Sequence, residues 1–77
     1  MDDAFYLWAL IKEMGFTTGS IFFTSEICSE AFNQKIFFLW KPSEHELSEQ
    51  KTLQALEILE KKKLIKSFND KAFYKVT

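Results

Sequence analysis

Arginine is absent from this chain, and all ten of its basic residues are lysine. Arginine supplies the bidentate guanine contact and the better phosphate fork, so its absence argues against base-specific reading of nucleic acid. Cysteine occurs once, at Cys28, which excludes an intramolecular disulfide and fits a reducing compartment. The two glycines, Gly15 and Gly19, precede no Lys-Ser/Thr pair, so no phosphate-cradling loop is present. The one histidine, His45, lies between Glu44 and Glu46 in a polar stretch. With Cys28 alone for company it supplies neither the ligand set of a metal site nor a catalytic triad. The expectation is a protein with no enzymatic activity, no metal and no cofactor.

Long apolar runs are missing too. None approaches the roughly 20 residues needed to span a bilayer. Met1 is followed by Asp2 and Asp3 rather than a basic segment, so no signal-peptide pattern is seen. Those features predict a cytoplasmic protein that does not insert into membrane.

What the chain has in quantity is aromatic residues: nine Phe, two Trp and two Tyr in 77 residues. The length fits one domain, residues 1–77. A domain this small buries only about 60% of the surface its unfolded chain exposes. Each aromatic side chain can bury roughly 150–250 Å². Such a body does not hide them all, which predicts an adhesive surface patch. The net charge of −1 conceals an asymmetry. Residues 1–60 carry four Lys against ten Asp and Glu (−6), whereas 61–77 carry six Lys against one Asp (+5). Lys61, Lys62 and Lys63 sit where cations complement a helix dipole, and also where a docking patch could form.

Periodicity predicts the elements. Asp2 and Asp3 offer an N-cap and acidic first turn for a helix carrying Ala4, Leu7, Trp8, Ile11 and Met14 at helical spacing. Phe5 and Leu10 broaden its apolar face, and Gly15 stands where a C-terminal cap belongs. A turn at 17–20, with Gly19 at positive φ, leads to a strand over 21–23. Thr24 or Ser25 is expected to cap a second helix reaching Phe32, with Ile27, Ala31 and Cys28 facing inward. The third helix is placed from Ser48, with Leu47 as its preceding staple residue. Ser43 and Glu46 also have capping-box spacing and offer an earlier start. Thr52, Leu53, Ala55, Leu56 and Leu59 are expected on the core side of this helix. Glu49, Gln50, Lys51, Gln54, Glu57 and Glu60 are expected to face outward. Residues 64–68 and 72–76, joined by a 69–71 turn, predict a hairpin. Helix, strand, helix, extended segment, helix and hairpin make an α+β chain in winged-helix order: three helices and a small antiparallel sheet ending in a C-terminal wing.

Two binding classes remain. The run Ile36, Phe37, Phe38, Leu39, Trp40 is either core strand or a strand with one apolar face left for a partner. Removing Trp40 should then abolish partner binding without unfolding the domain. The other class is nucleic acid or ribosome, touched through lysines of the wing. The carboxylates expected on the exposed face of the third helix oppose phosphate, so protein recognition is favoured.

Three local patterns resemble a known family. Trp8 stands seven residues before Gly15, like a tryptophan-bearing first helix that runs into a small turn. Ser20-Ile21-Phe22-Phe23-Thr24-Ser25-Glu26-Ile27 is similar to a Ser/Thr-Val-hydrophobic-Thr-Leu-Tyr-Glu-Leu segment. Leu47 and Ser48, followed by Ala55-Leu56 and Leu59-Glu60-Lys61, are similar to a Leu-Asp…Ala-Leu…Leu-Glu helix. Together they resemble the C-terminal winged-helix domain of the smallest, duplicated subunit of the ESCRT-II endosomal sorting complex. The resemblance implies an adaptor in protein transport that holds an amphipathic helix of an ESCRT-III subunit, and so reaches the endosomal surface through partners. Exposure logic assigns apolar contacts to Phe37, Phe38 and Trp40, and contacts with acidic groups to Lys66, Lys71 and Lys75.

Overall fold

The computed structural model describes residues 3–34 and 44–77, with side-chain environments for 4–34 and 49–77. Helix α1 spans Asp3–Glu13 and buries Ala4, Leu7, Leu10 and Ile11. Gly15 ends it at φ 93°, where a side chain would be strained. Its amide donates to the Lys12 carbonyl at 3.0 Å and that of Phe16 to Ile11 at 3.3 Å, the paired bonds of a Schellman cap. Phe5, expected to widen the core face, is instead 60% exposed. It lies about 100° around the helix from Ala4, beyond the stripe that meets the core.

Gly19, also at positive φ, closes the turn into strand β1, Ile21–Phe23. Helix α2, Thr24–Asn33, follows with no intervening loop. Its N-cap is Phe23, in extended conformation and with no side-chain cap bond, so the expected Thr24 or Ser25 cap does not form. Thr24 is used elsewhere: its hydroxyl donates to the Lys71 carbonyl and its amide to Ala72. Ile27 and Ala31 are buried as expected, and Cys28 is half-buried.

Helix α3 runs over Glu44–Lys61, four residues ahead of the expected Ser48. No glycine or proline interrupts 44–61. Thr52, Ala55, Leu56 and Leu59 are buried at the i, i+3, i+4, i+7 spacing. Leu53 falls off that stripe and is 38% exposed, contrary to expectation. The helix ends in a second Schellman cap, with Lys63 at φ 63° in the position glycine usually holds.

Strands β2 (Ile65–Phe68) and β3 (Phe73–Val76) form the hairpin. Its turn takes Asn69, Asp70 and Lys71 through φ of 53°, 54° and 67°. Asparagine and aspartate tolerate that region better than lysine does. The sheet order is β1-β3-β2, antiparallel throughout, so the first strand pairs with the last. Among the described residues, three helices and this sheet make an α+β fold. One apolar cluster draws on all six elements, with Phe22 stacked on Tyr74 at 5.8 Å near its centre.

Candidate functional site

Strand alternation decides what the sheet shows to solvent. Phe22, Ile65, Tyr74 and Val76 point into the core. Their neighbours in sequence must therefore point away from it. The register sets those outward residues in two rows. One runs Phe23–Phe73–Phe68 across all three strands, because Phe23 and Phe68 both pair with Phe73. The other runs Ile21–Lys75–Lys66. Phe68 stacks on Phe73 at 5.7 Å between ring centroids, and Phe23 meets Phe73 edge-on at 6.0 Å. The Lys66 ammonium lies 5.7 Å from the centre of the Phe68 ring. Ile21 and Phe23 are 54% and 59% exposed, and Phe68 is 37% exposed. An apolar strip bordered by cations thus covers the outer face of the sheet.

Two of the expected contact residues come together here. Lys66 and Lys75 are exposed and sit directly opposite one another, an arrangement that is unfavourable for the sheet itself. Lys71 does not join them, because its ammonium is 3.0 Å from Glu57 at the turn. Phe37, Phe38 and Trp40 lie outside the described residues. Phe23, Phe68, Phe73 and Ile21 were not among the expected contacts. The signal for them was the burial of Phe22 and Tyr74, which sends both flanking phenylalanines outward.

The outward set expected on α3 needs correction at Glu60. Its carboxylate accepts from the Ser67 amide at 2.9 Å and from the Ser67 hydroxyl at 2.7 Å. Those two bonds, with smaller help from Lys71 and Lys66, hold its pKa below the usual value. Glu57, exposed as expected, is engaged by Lys71. The α3 flank beneath the hairpin is therefore committed to holding the hairpin in place.

At Phe23 the aromatic row borders an open depression of about 640 Å³ lined by Thr24, Ser25, Cys28, Ser29 and Glu49. Burial, followed by the charge of Glu49, pushes the Cys28 thiol up to about 11. It stays protonated at neutral pH and is a poor nucleophile there. Among the described residues, no group of three or more His, Cys, Asp or Glu is placed to hold a metal ion. No helix among them is long and apolar enough to cross a membrane. What this surface offers chemically is apolar contact and positive charge. No family model, no curated protein and no solved structure matches the chain.

Proposed function

We propose that the chain is a winged-helix module that recognises another protein through the outer face of its sheet, without catalysis. The element order and the sheet order β1-β3-β2 support the winged-helix reading. The observation that carries the function is the outward Phe23–Phe73–Phe68 row, exposed at Phe23 and Phe68 and half-buried at Phe73, beside Lys66 and Lys75. Exposed aromatic side chains are costly to leave in water and commonly dominate binding energy once covered. Like charges placed opposite each other weaken the sheet, so their use lies in an anionic group brought by the partner. An amphipathic helix with acidic residues along its margin has both features. The resemblance to the ESCRT-II domain makes an ESCRT-III helix the first candidate, with the endosomal surface as the place of action.

The second reading is nucleic acid or ribosome, favoured by the same lysines standing next to rings. It is the weaker one, for two reasons. The Phe68 ring already has Phe73 and the Lys66 ammonium against it, which leaves less ring face for a base. The chain as a whole is slightly acidic.

The test is an amide NMR titration with the N-terminal helix of an ESCRT-III subunit, run beside a single-stranded oligonucleotide. Shifts gathered at Phe23, Lys66, Phe68, Phe73 and Lys75 with the peptide, little changed by salt, support the proposal. A silent peptide titration overturns it. Oligonucleotide binding that weakens steeply from low to physiological salt selects the second reading.

A further inference from the structure

The two edges of the sheet are treated differently. On β2, the bond from the Thr77 amide to Leu64, carried along the register through Lys66–Lys75 and Phe68–Phe73, shows that the even-numbered residues face β3. By alternation, Ser67 turns its backbone to the outside. Its amide does not stay open, because the Glu60 carboxylate takes it at 2.9 Å. That carboxylate also denies the edge to an incoming strand, one of the ways native proteins protect such edges.

On β1 the matching bonds run from Val76 to Ser20 and from Thr24 to Ala72. Ser20, Phe22 and Thr24 therefore face β3, and Ile21 and Phe23 turn their backbones outward. Among the described residues, no side chain bonds to those outward groups. The edge is short, at three residues, but two other protections are missing, charge and proline. From Ser20 to Ser25 there is no charged residue and no proline, and the side chains of Ile21 and Phe23 are more than half exposed.

We propose that this edge pairs with the β1 edge of a second copy, antiparallel about a two-fold axis at Phe22. Self-pairing is the occupant the pattern specifies. With Phe22 opposite its own counterpart, Ile21 faces Phe23 of the other copy, and both residues have outward-pointing backbones. The Ile21 amide donates to the Phe23 carbonyl, the Phe23 amide donates to the Ile21 carbonyl, and the symmetry repeats both. The Phe23 carbonyl also begins α2, but an oxygen with two lone pairs serves both donors. Side chains agree with backbone. On the outer face each Ile21 lies beside the other copy's Phe23, so the two most exposed apolar groups of β1 cover each other. No like charges meet at the seam, and a net charge of −1 offers little long-range repulsion between copies. The product is a continuous sheet with both aromatic rows on one face, twice the three strands of a single chain. The pairing rests on the backbone of the β1 edge, and it shares only Ile21 and Phe23 with the outer face.

The experiment measures mass by light scattering across a concentration series, with amide hydrogen exchange on the same samples. Variants Ile21→Lys and Phe68→Ala are run beside the wild type, each checked for folding by circular dichroism. The expected mass rises from 9.1 kDa toward twice that value. Where about nine-tenths of chains are paired, exchange of the Ile21 and Phe23 amides slows about tenfold, while Ser67 is unchanged. I21K, with a cation on the edge, loses both effects and F68A keeps both. A mass that never rises overturns the proposal. So does a rise that leaves the two amides unprotected and disappears in F68A, because copies would then be meeting through the outer face.

Discussion

Replacing Phe68 by alanine separates a ring held for a partner from a ring held for the fold. Phe68 keeps 37% of its surface exposed, stacks on Phe73 at 5.7 Å and carries Lys66 near its face. The stacked pair contributes roughly 0.5–1.5 kcal/mol beyond area, and an exposed cation–π contact roughly 0.5–1 kcal/mol. These two contacts sum to about 1–2.5 kcal/mol, and the buried part of the ring adds an area loss, so F68A should cost more than that sum yet less than removal of a fully buried ring. Phe22 is a chemically identical ring on the opposite face, fully buried against Phe16 and Tyr74. Its removal leaves a cavity and should cost about 3–5 kcal/mol. That is a large share of the stability of a domain this size, roughly 0.05–0.15 kcal/mol per residue. Urea titration of both variants, followed by circular dichroism, gives the comparison directly. Equal losses would refute the reasoning, because Phe68 would then be a core residue and the outer face would have no ring to spare.

Other outcomes follow from the same contacts. Glu60 has a lowered pKa when folded, so its stabilisation is complete above the ordinary value of 4.5 and is lost as pH falls through the lower folded value. The urea midpoints of wild type and Glu60→Gln should therefore converge below pH 4.5. A constant gap would remove Glu60 from the account. Burial, with the charges of Glu60 and Glu57, pushes the Tyr74 phenol from 10.0 up to about 12. The proton is held more tightly in the folded state, so stability falls as pH rises across that interval. Tyr74→Phe should lack this alkaline loss. Lys63, at φ 63°, occupies a cap position that suits glycine, so Lys63→Gly should raise stability by about 1 kcal/mol in thermal melts. Lys66→Glu places opposite charges across β2 and β3, and should stabilise the hairpin by roughly 0.2–1 kcal/mol. The same change should weaken capture of an acidic helix, measured by calorimetry.

Much of this architecture was legible from residue order alone. Apolar spacing located α1, Gly15 and Gly19 marked the turn regions, and the 21–23 strand and the hairpin stand where alternation placed them. Boundaries were harder to read. Leu47 and Ser48 resembled a helix entry, yet the chain is free of helix breakers back to Glu44 and helix forms there. The Thr24 hydroxyl looked like a cap, but the Lys71 carbonyl, far away in sequence, competes for it and wins. Leu53 and Phe5 show a third limit. A broad apolar face in sequence meets a narrower contact in space, and the residue about 100° away stays in water. The outer face was hidden for another reason. Alternation tells which side of a strand a residue takes, whereas the Phe23–Phe73–Phe68 row exists only once β1 is known to pair with β3 in that register. Glu60 and Ser67 likewise meet through the α3–β2 connection, which no local pattern announces.

Solvent paramagnetic relaxation of ring protons tests the central claim, an aromatic face open on the outside of the sheet. A soluble gadolinium chelate would be added to dilute protein with assigned aromatic resonances. Broadening should be strongest at Phe23 and Phe68, smaller at half-buried Phe73, and absent at Phe22 and Tyr74. Rings of Phe23, Phe68 and Phe73 as protected as that of Phe22 would mean that this face is already covered, and the recognition surface described here would not exist.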